Sequence, residues 1–137
     1  MENIGGGRLR AGDRAPDAEL RDGNGQARRL FEIFRAPRHV LLLFLGAGFD
    51  GAAKTDTLAT ALRELPPEAI ESYRISRGEG DAAAELRDLS GLAHAAYGLF
   101  EGGVVLVRPD GYLAYRSEEF EPTRLRGYLA RIFRFAA

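Results

Sequence analysis

The stretch Val104-Val105-Leu106-Val107-Arg108-Pro109-Asp110-Gly111-Tyr112-Leu113-Ala114-Tyr115-Arg116 decides how the chain is read. Val104 to Val107 is an apolar, mostly β-branched run and reads as a strand. Arg108-Pro109-Asp110-Gly111 is a tight turn, because proline presets φ and glycine accepts positive φ. Tyr112 to Arg116 is the returning strand. Beyond this hairpin, Pro122 suits the first turn of a last helix. That helix carries Leu125, Tyr128, Leu129, Ile132 and Phe133 on one face. Ahead of the hairpin, Val40 to Leu45 is continuous and apolar, as a central strand covered on both faces should be. Lys54 to Leu65 places Leu58, Leu62 and Leu65 at helical spacing, and Pro66-Pro67 stops it. Ala69 to Ser76 reads as a second inner strand. Asp81 is the expected N-cap of a helix carrying Leu86 and Leu89, broken near Gly91 and resumed through Tyr97. Near the start, Ala18 to Leu20 and Ala27 to Leu30 flank Asp22-Gly23-Asn24-Gly25, a strong hairpin signal. Leu30 to Phe34 adds one helical turn, which Pro37 ends.

The order is therefore β-hairpin, β, α, β, α, β-hairpin, α. The strand-helix-strand portion implies a parallel crossover, and the terminal hairpin adds antiparallel strands. This predicts an α/β fold with a central mixed sheet, helices on both faces, an N-terminal hairpin and a C-terminal helix. It is the order of a thioredoxin-like fold. Residues 1–10, polar and Gly-rich, are expected to be a flexible segment. Residues 11–137 are expected to form a single domain.

Composition narrows the chemistry. The chain has 137 residues and no cysteine. Disulfides, thiolate nucleophiles and Cys-ligated zinc are thereby excluded. The net charge of −1, from 19 basic and 20 acidic side chains, argues against nucleic-acid or anionic-membrane binding. Apart from Lys54 every basic residue is arginine, with no cluster among them. Val40 to Leu45 is the longest apolar run, far short of the about 20 residues a membrane span needs. With no apolar run of signal-peptide length at the N-terminus, a cytoplasmic location is expected.

Several constellations invite a functional reading. Gly46-Ala47-Gly48-Phe49-Asp50-Gly51 matches GxGxxG between an apolar strand and a helix. A dinucleotide site uses such glycines for the tight turn and close pyrophosphate approach. Arg77, at the end of the second inner strand, suits a 2′-phosphate. A small NADP-type nucleotide module using Gly46, Gly48, Gly51 and Arg77 is therefore the alternative function. The fingerprint strand of such a site normally opens the fold, whereas here a hairpin precedes it. The plainer reading is a strand-to-helix connector. Lys54-Thr55 is misplaced for a P-loop, because Ala52-Ala53 separate it from Gly51. His39 and His94 are candidate bases or ligands, but neither has a sequence-adjacent carboxylate or nucleophile. Each is expected to be a surface or half-buried, hydrogen-bonded side chain. Glu118, Glu119 and Glu121 precede Pro122, where negative charge suits the helix dipole. Arg124, Arg126, Arg131 and Arg134 mostly fall off the apolar stripe and form a solvated face. Phe133 and Phe135 would offer a sticky partner surface if the core does not absorb them.

Three segments together resemble known families. Ala11-Gly12-Asp13-Arg14-Ala15-Pro16-Asp17, followed by Leu20, Asp22-Gly23 and Leu30, resembles the opening of thioredoxin-fold proteins of the peroxiredoxin-like type. Val40 to Leu45 is then the strand whose end carries the active-site loop. Leu99-Phe100 and the run from Val104 to Arg116, with its turn Arg108, Pro109, Asp110 and Gly111, resemble the terminal segment of flavin-dependent aromatic-ring hydroxylases of the phenol hydroxylase-like kind. Those enzymes carry a thioredoxin-like domain after their FAD and substrate domains. The resemblance runs from about Ala11 to the C-terminus.

The departures define the expected role. Where a redox thioredoxin has its cysteines, this chain has Gly46-Ala47-Gly48-Phe49-Asp50. Where such proteins place a cis-proline, it has Gly102-Gly103. Without a thiolate there is no thiol–disulfide exchange. In the hydroxylases FAD, reduced nicotinamide and substrate are handled by upstream domains, so no catalytic or cofactor-binding residue carries over. The resemblance implies a redox-inactive domain, a fragment or relative of an FAD-dependent monooxygenase, not catalytic on its own. Its role would be structural or interactive: packing on a hydroxylase body or self-association. The last helix and the Tyr112 to Arg116 strand are the expected contact surfaces. A peroxiredoxin-like enzyme that has lost its cysteine predicts the same absence of activity.

Overall fold

The computed structural model describes residues 9–46, 63, 65–77, 84–118 and 122–133. The strands are β1 (Glu19–Asp22), β2 (Ala27–Arg29), β3 (His39–Phe44), β4 (Ile70–Arg77), β5 (Leu86–Asp88), β6 (Gly103–Val107) and β7 (Leu113–Ser117). The helices are α1 (Leu30–Ile33), α2 (Leu92–Ala96) and α3 (Pro122–Phe133). All strands join one seven-stranded sheet in the order β2-β1-β5-β4-β3-β6-β7. β4 runs parallel to both β3 and β5, and the remaining pairs are antiparallel.

Strand periodicity divides the core. Val40, Leu42 and Phe44 of β3, with Val105 and Val107 of β6, pack with Leu30, Ala93 and Tyr97 on one side. Leu41, Leu43, Val104 and Leu106 pack with Leu125 and Leu129 of α3 on the other. Successive side chains of a strand point to opposite faces, so an unbroken apolar run fills both layers. The inner-strand reading of 40–45 and the mixed sheet are thereby borne out.

Both hairpins close as their turn residues require. Asp22 Oδ1 accepts the Asn24 and Gln26 N–H groups, at 2.9 and 3.0 Å. At the second turn the Gly111 N–H donates to the Arg108 carbonyl at 2.9 Å. The N-terminal segment is sewn to the outer edge of β7. Ala15 N–H donates to Gly111 O, Gly12 N–H to Leu113 O, and Leu113 N–H to Asp13 O, at 2.7–2.9 Å. Backbone that an edge strand would leave open is thus paired.

The predicted helix through Leu86 and Leu89 is corrected. Residues 86–88 form β5, pairing with β4 on one side and β1 on the other. Leu86 and Asp88 are buried and Arg87 is half-buried between them, a period of two rather than 3.6. One leucine pair cannot distinguish these periods in so short a stretch. Leu89 is exposed, and Asp81 lies outside the described residues. The helix resumes as expected at Leu92. Most of the predicted 54–65 helix, including Leu58 and Leu62, lies outside the described residues; Leu65 is buried against the α3 layer. Of residues 1–10 only Leu9 and Arg10 are described. No helix among the described residues is long and apolar enough to cross a membrane.

Candidate functional site

β3 ends at Phe44, and the chain leaves the sheet through Leu45 and Gly46. Gly46 has φ +74°, and a Cβ there would lie 2.5 Å from the Glu101 carbonyl carbon. Opposite it, Gly102 has φ +100°, and its Cβ would lie 2.9 Å from the Phe44 carbonyl oxygen. Two glycines therefore let two backbone segments touch directly, in a conformation other residues avoid.

The Gly46 N–H points inward and donates to His94 Nε2 at 3.1 Å. His94 Nδ1 lies 2.8 Å from Asp88 Oδ2, and both side chains are wholly buried. Because Nε2 accepts, the ring is the neutral tautomer with its proton on Nδ1, donated to Asp88. Asp88 also accepts the His94 N–H at 2.8 Å and the Ala93 N–H at 3.2 Å. Its carboxylate thus serves the first turn of α2 as well as the imidazole. Burial pushes the Asp88 carboxyl up, but the bonds from the His94 ring and these two N–H groups outweigh it and hold it below the usual range. The Phe44 ring meets His94 edge-on, with centroids 5.0 Å apart. Tyr97 packs on Phe44 and donates its buried hydroxyl to the Pro16 carbonyl. Burial raises the Tyr97 hydroxyl well above its ordinary value.

A carboxylate–imidazole pair is the arrangement of a general base, but a base needs a free lone pair facing a substrate. Here that lone pair is occupied by a backbone amide, and no part of either side chain reaches solvent. The pair's visible action is to hold the strand-end backbone in place. The expectation of a surface or half-buried His94 is therefore corrected. Its carboxylate partner lies six residues earlier, across the turn through Gly91. Asp88 was missed because it was assigned to a helix. A signal was present: an aspartate shortly before a helix whose own N-cap position is glycine.

Of the other predicted residues, Gly48, Gly51, Lys54 and Thr55 lie outside the described residues. Arg77 ends β4, exposed, with its guanidinium 5.8 Å from the Phe100 ring centroid and packed against Gly91. His39 is half-buried at the start of β3, edge-on to Phe133 at 5.1 Å. Burial, and then the Arg108 charge, lowers its pKa. Phe133 is partly buried against the α3 layer; Phe135 lies outside the described residues, as do Glu119, Glu121 and Arg134. Glu118 pairs with Arg116 at 3.5 Å. Arg124 and Arg131 are exposed, as a solvated face requires, and Arg126 is half-buried. Arg108 grips Asp110 through bonds of 3.1 and 2.7 Å, which braces the turn at Pro109 and Gly111.

Solved structures place this arrangement among known folds. A putative thiol:disulfide interchange protein DsbE from Chlorobium tepidum superposes with a TM-score of 0.73 at 17% identity, over 90% of this chain and 96% of that one. That likeness shows the thioredoxin-like fold. Aklavinone-11 hydroxylase, solved with FAD and aklavinone, matches with a TM-score of 0.63 at 23% identity, over 89% of this chain and 21% of that one. The flavin-dependent monooxygenase PieE, solved with FAD and substrate, matches with a TM-score of 0.65 at 25% identity, over 91% and 21%. The chain thus spans about a fifth of the length of the hydroxylases it matches. No curated protein matches it. The family described as aromatic-ring hydroxylase, C-terminal, matches residues 9–136, and the chain belongs to that family.

Proposed function

We propose that this chain is a redox-inactive interaction module of a flavin-dependent aromatic hydroxylase system, working in the cytoplasm. It contributes no catalytic residue and binds no FAD, nicotinamide or metal of its own. Its partner is a hydroxylase body or a second copy. One observation carries the reading: at the end of β3 the Gly46 amide is turned onto the buried His94–Asp88 pair. A phosphate cradle needs such amides pointing at the ligand. A thiol site needs cysteine, and the sequence has none. Membership of the hydroxylase family and the one-fifth span of its relatives support a partner polypeptide.

The test is calorimetric titration of the chain with NADPH, NADH and FAD. No heat beyond dilution is expected from any of them. Saturable micromolar binding, abolished by Gly48→Val, would overturn the reading and make the glycine loop a nucleotide site.

A further inference from the structure

The turn end of the sheet leaves positive charge uncommitted. The hydrogen bonds joining residues 12–15 to 111–113 fix the backbone around Arg14, which forms an isolated bridge with Tyr112. Its guanidinium carbon lies 5.4 Å from the Phe31 centroid and 5.9 Å from the Tyr112 centroid. Arg108 lies 5.7 Å from the same Tyr112 ring. The result is an alternating row: Phe31, Arg14, Tyr112, Arg108. Both rings are partly open to solvent, Phe31 at 39% and Tyr112 at 36%. Beside the row lies a concavity of about 250 Å³, lined by Arg14, Phe31, Phe34, Arg35, Pro109 and Asp110.

The charges there do not balance. Asp110 is engaged by Arg108 through both carboxylate oxygens. Arg14 and Arg35 pair with no carboxylate among the described residues. Two guanidiniums thus face one concavity with no carboxylate of their own among the described residues, since Asp110, which also lines it, is held by Arg108. Cation–π contacts hold one of them in place, so little side-chain freedom remains to be lost on binding. Arginine and aromatic residues on a shallow surface are the composition of interface hot spots.

We propose that this end of the sheet docks an acidic segment of a partner protein, with carboxylates seated on Arg14 and Arg35. This rests on the interaction-module reading and names the face that does the work. Arginine receives a carboxylate through paired N–H donors, which gives the contact direction as well as charge. The Arg-Pro-Asp-Gly turn then acquires a role beyond closing a hairpin. It neutralises its own aspartate internally and leaves Arg14 for the partner.

The test is fluorescence anisotropy of labelled hexaglutamate against the chain, with hexalysine and inorganic phosphate as further arms. Hexaglutamate is expected to bind saturably, less tightly as salt rises. Arg14→Met and Arg35→Met should each weaken it about tenfold, while Arg87→Met and hexalysine show no such effect and no binding respectively. Should Arg14→Met fail to fold, Arg35→Met decides alone, since Arg35 is exposed and makes no ion pair among the described residues. The proposal is overturned if hexaglutamate does not bind, if Arg87→Met weakens it equally, or if phosphate displaces it at equal concentration, which marks a small-anion site. The nucleotide titration is separate. A chain that ignores both hexaglutamate and NADPH loses the docking face and keeps the redox-inactive reading; one that binds NADPH loses the latter.

Discussion

The two ends of the β3–β6 pair use similar residue types in opposite ways. At the C-terminal end of β3, glycines bring backbone against backbone, and an aspartate and a histidine are sealed beneath them. At the other end, where Val40 meets Val107, a glycine turns freely in open space and arginines ride on half-exposed rings. At the first end the polar side-chain atoms of Asp88 and His94 are all hydrogen-bonded and both side chains are buried. At the second, Arg14 and Arg35 pair with no carboxylate among the described residues. At the end of β3 the described residues hold backbone in place, while at the turn end arginines lie on partly exposed rings.

The comparison breaks most visibly at the two aspartates. Asp88→Ala strands three buried donors, the imidazole Nδ1–H and the amides of Ala93 and His94. It should cost about 3–5 kcal/mol, read as a fall in the urea midpoint. Asp110→Ala, which removes an exposed ion pair and a turn hydrogen bond, should lower that midpoint far less. Equal effects would mean that the buried pair is not holding the strand end.

The glycines repeat the contrast at smaller scale. Gly46→Ala must push apart the backbone at Glu101 in addition to adopting a positive φ, a loss of about 3 kcal/mol. Gly111, at φ +87°, has nothing within 4 Å of a Cβ position. Gly111→Ala should therefore lose only about 1 kcal/mol, the conformational part. Thermal unfolding of the pair separates contact from conformation.

The two ends should also titrate apart. His39 has a pKa below its ordinary 6.5, so the unfolded chain binds its proton first, and stability falls as pH drops below 6.5 toward the lowered value. Asp88 has a pKa below its ordinary 3.8. Its contribution is complete above 3.8 and is lost as pH falls from there through the lowered folded value. Asp17 adds to the same loss: burial raises it, but the Phe31 N–H and Arg29 outweigh burial. Denaturant midpoints against pH should therefore decline in two stages, and His39→Gln should remove only the upper one. The smallest effect expected is Tyr128→Phe. The tyrosine hydroxyl donates to the Ala114 carbonyl at 2.7 Å, and its loss should cost about 1 kcal/mol in the same assay.

Much of the fold was legible because it rests on local chemistry. Val40 to Leu45, Val104 to Val107 and the Arg108 to Gly111 turn declare themselves through apolar continuity and dihedral preference. β5 was not legible: a three-residue strand exists only because β4 and β1 pair with it, and its lone buried leucine fits either period. At the site, Gly46 stood out in the sequence only as part of a GxGxxG pattern, and its backbone contact was not legible there. In the structure its glycine answers to the close approach of the backbone at Glu101 and Gly102. Asp88 was lost together with the strand that carries it.

From the sequence alone come the alternation of strands and helices, the positions of both hairpin turns, and the exclusion of thiol chemistry. Each follows from side-chain periodicity, from the φ values that proline and glycine allow, or from the absence of cysteine. Only the tertiary structure decides that His94 takes its amide partner 48 residues away. The same holds for Arg14, placed between Phe31 and Tyr112. Hydrogen bonds and ring contacts depend on which strands become neighbours, and local spacing carries no information about partners brought together by a sheet.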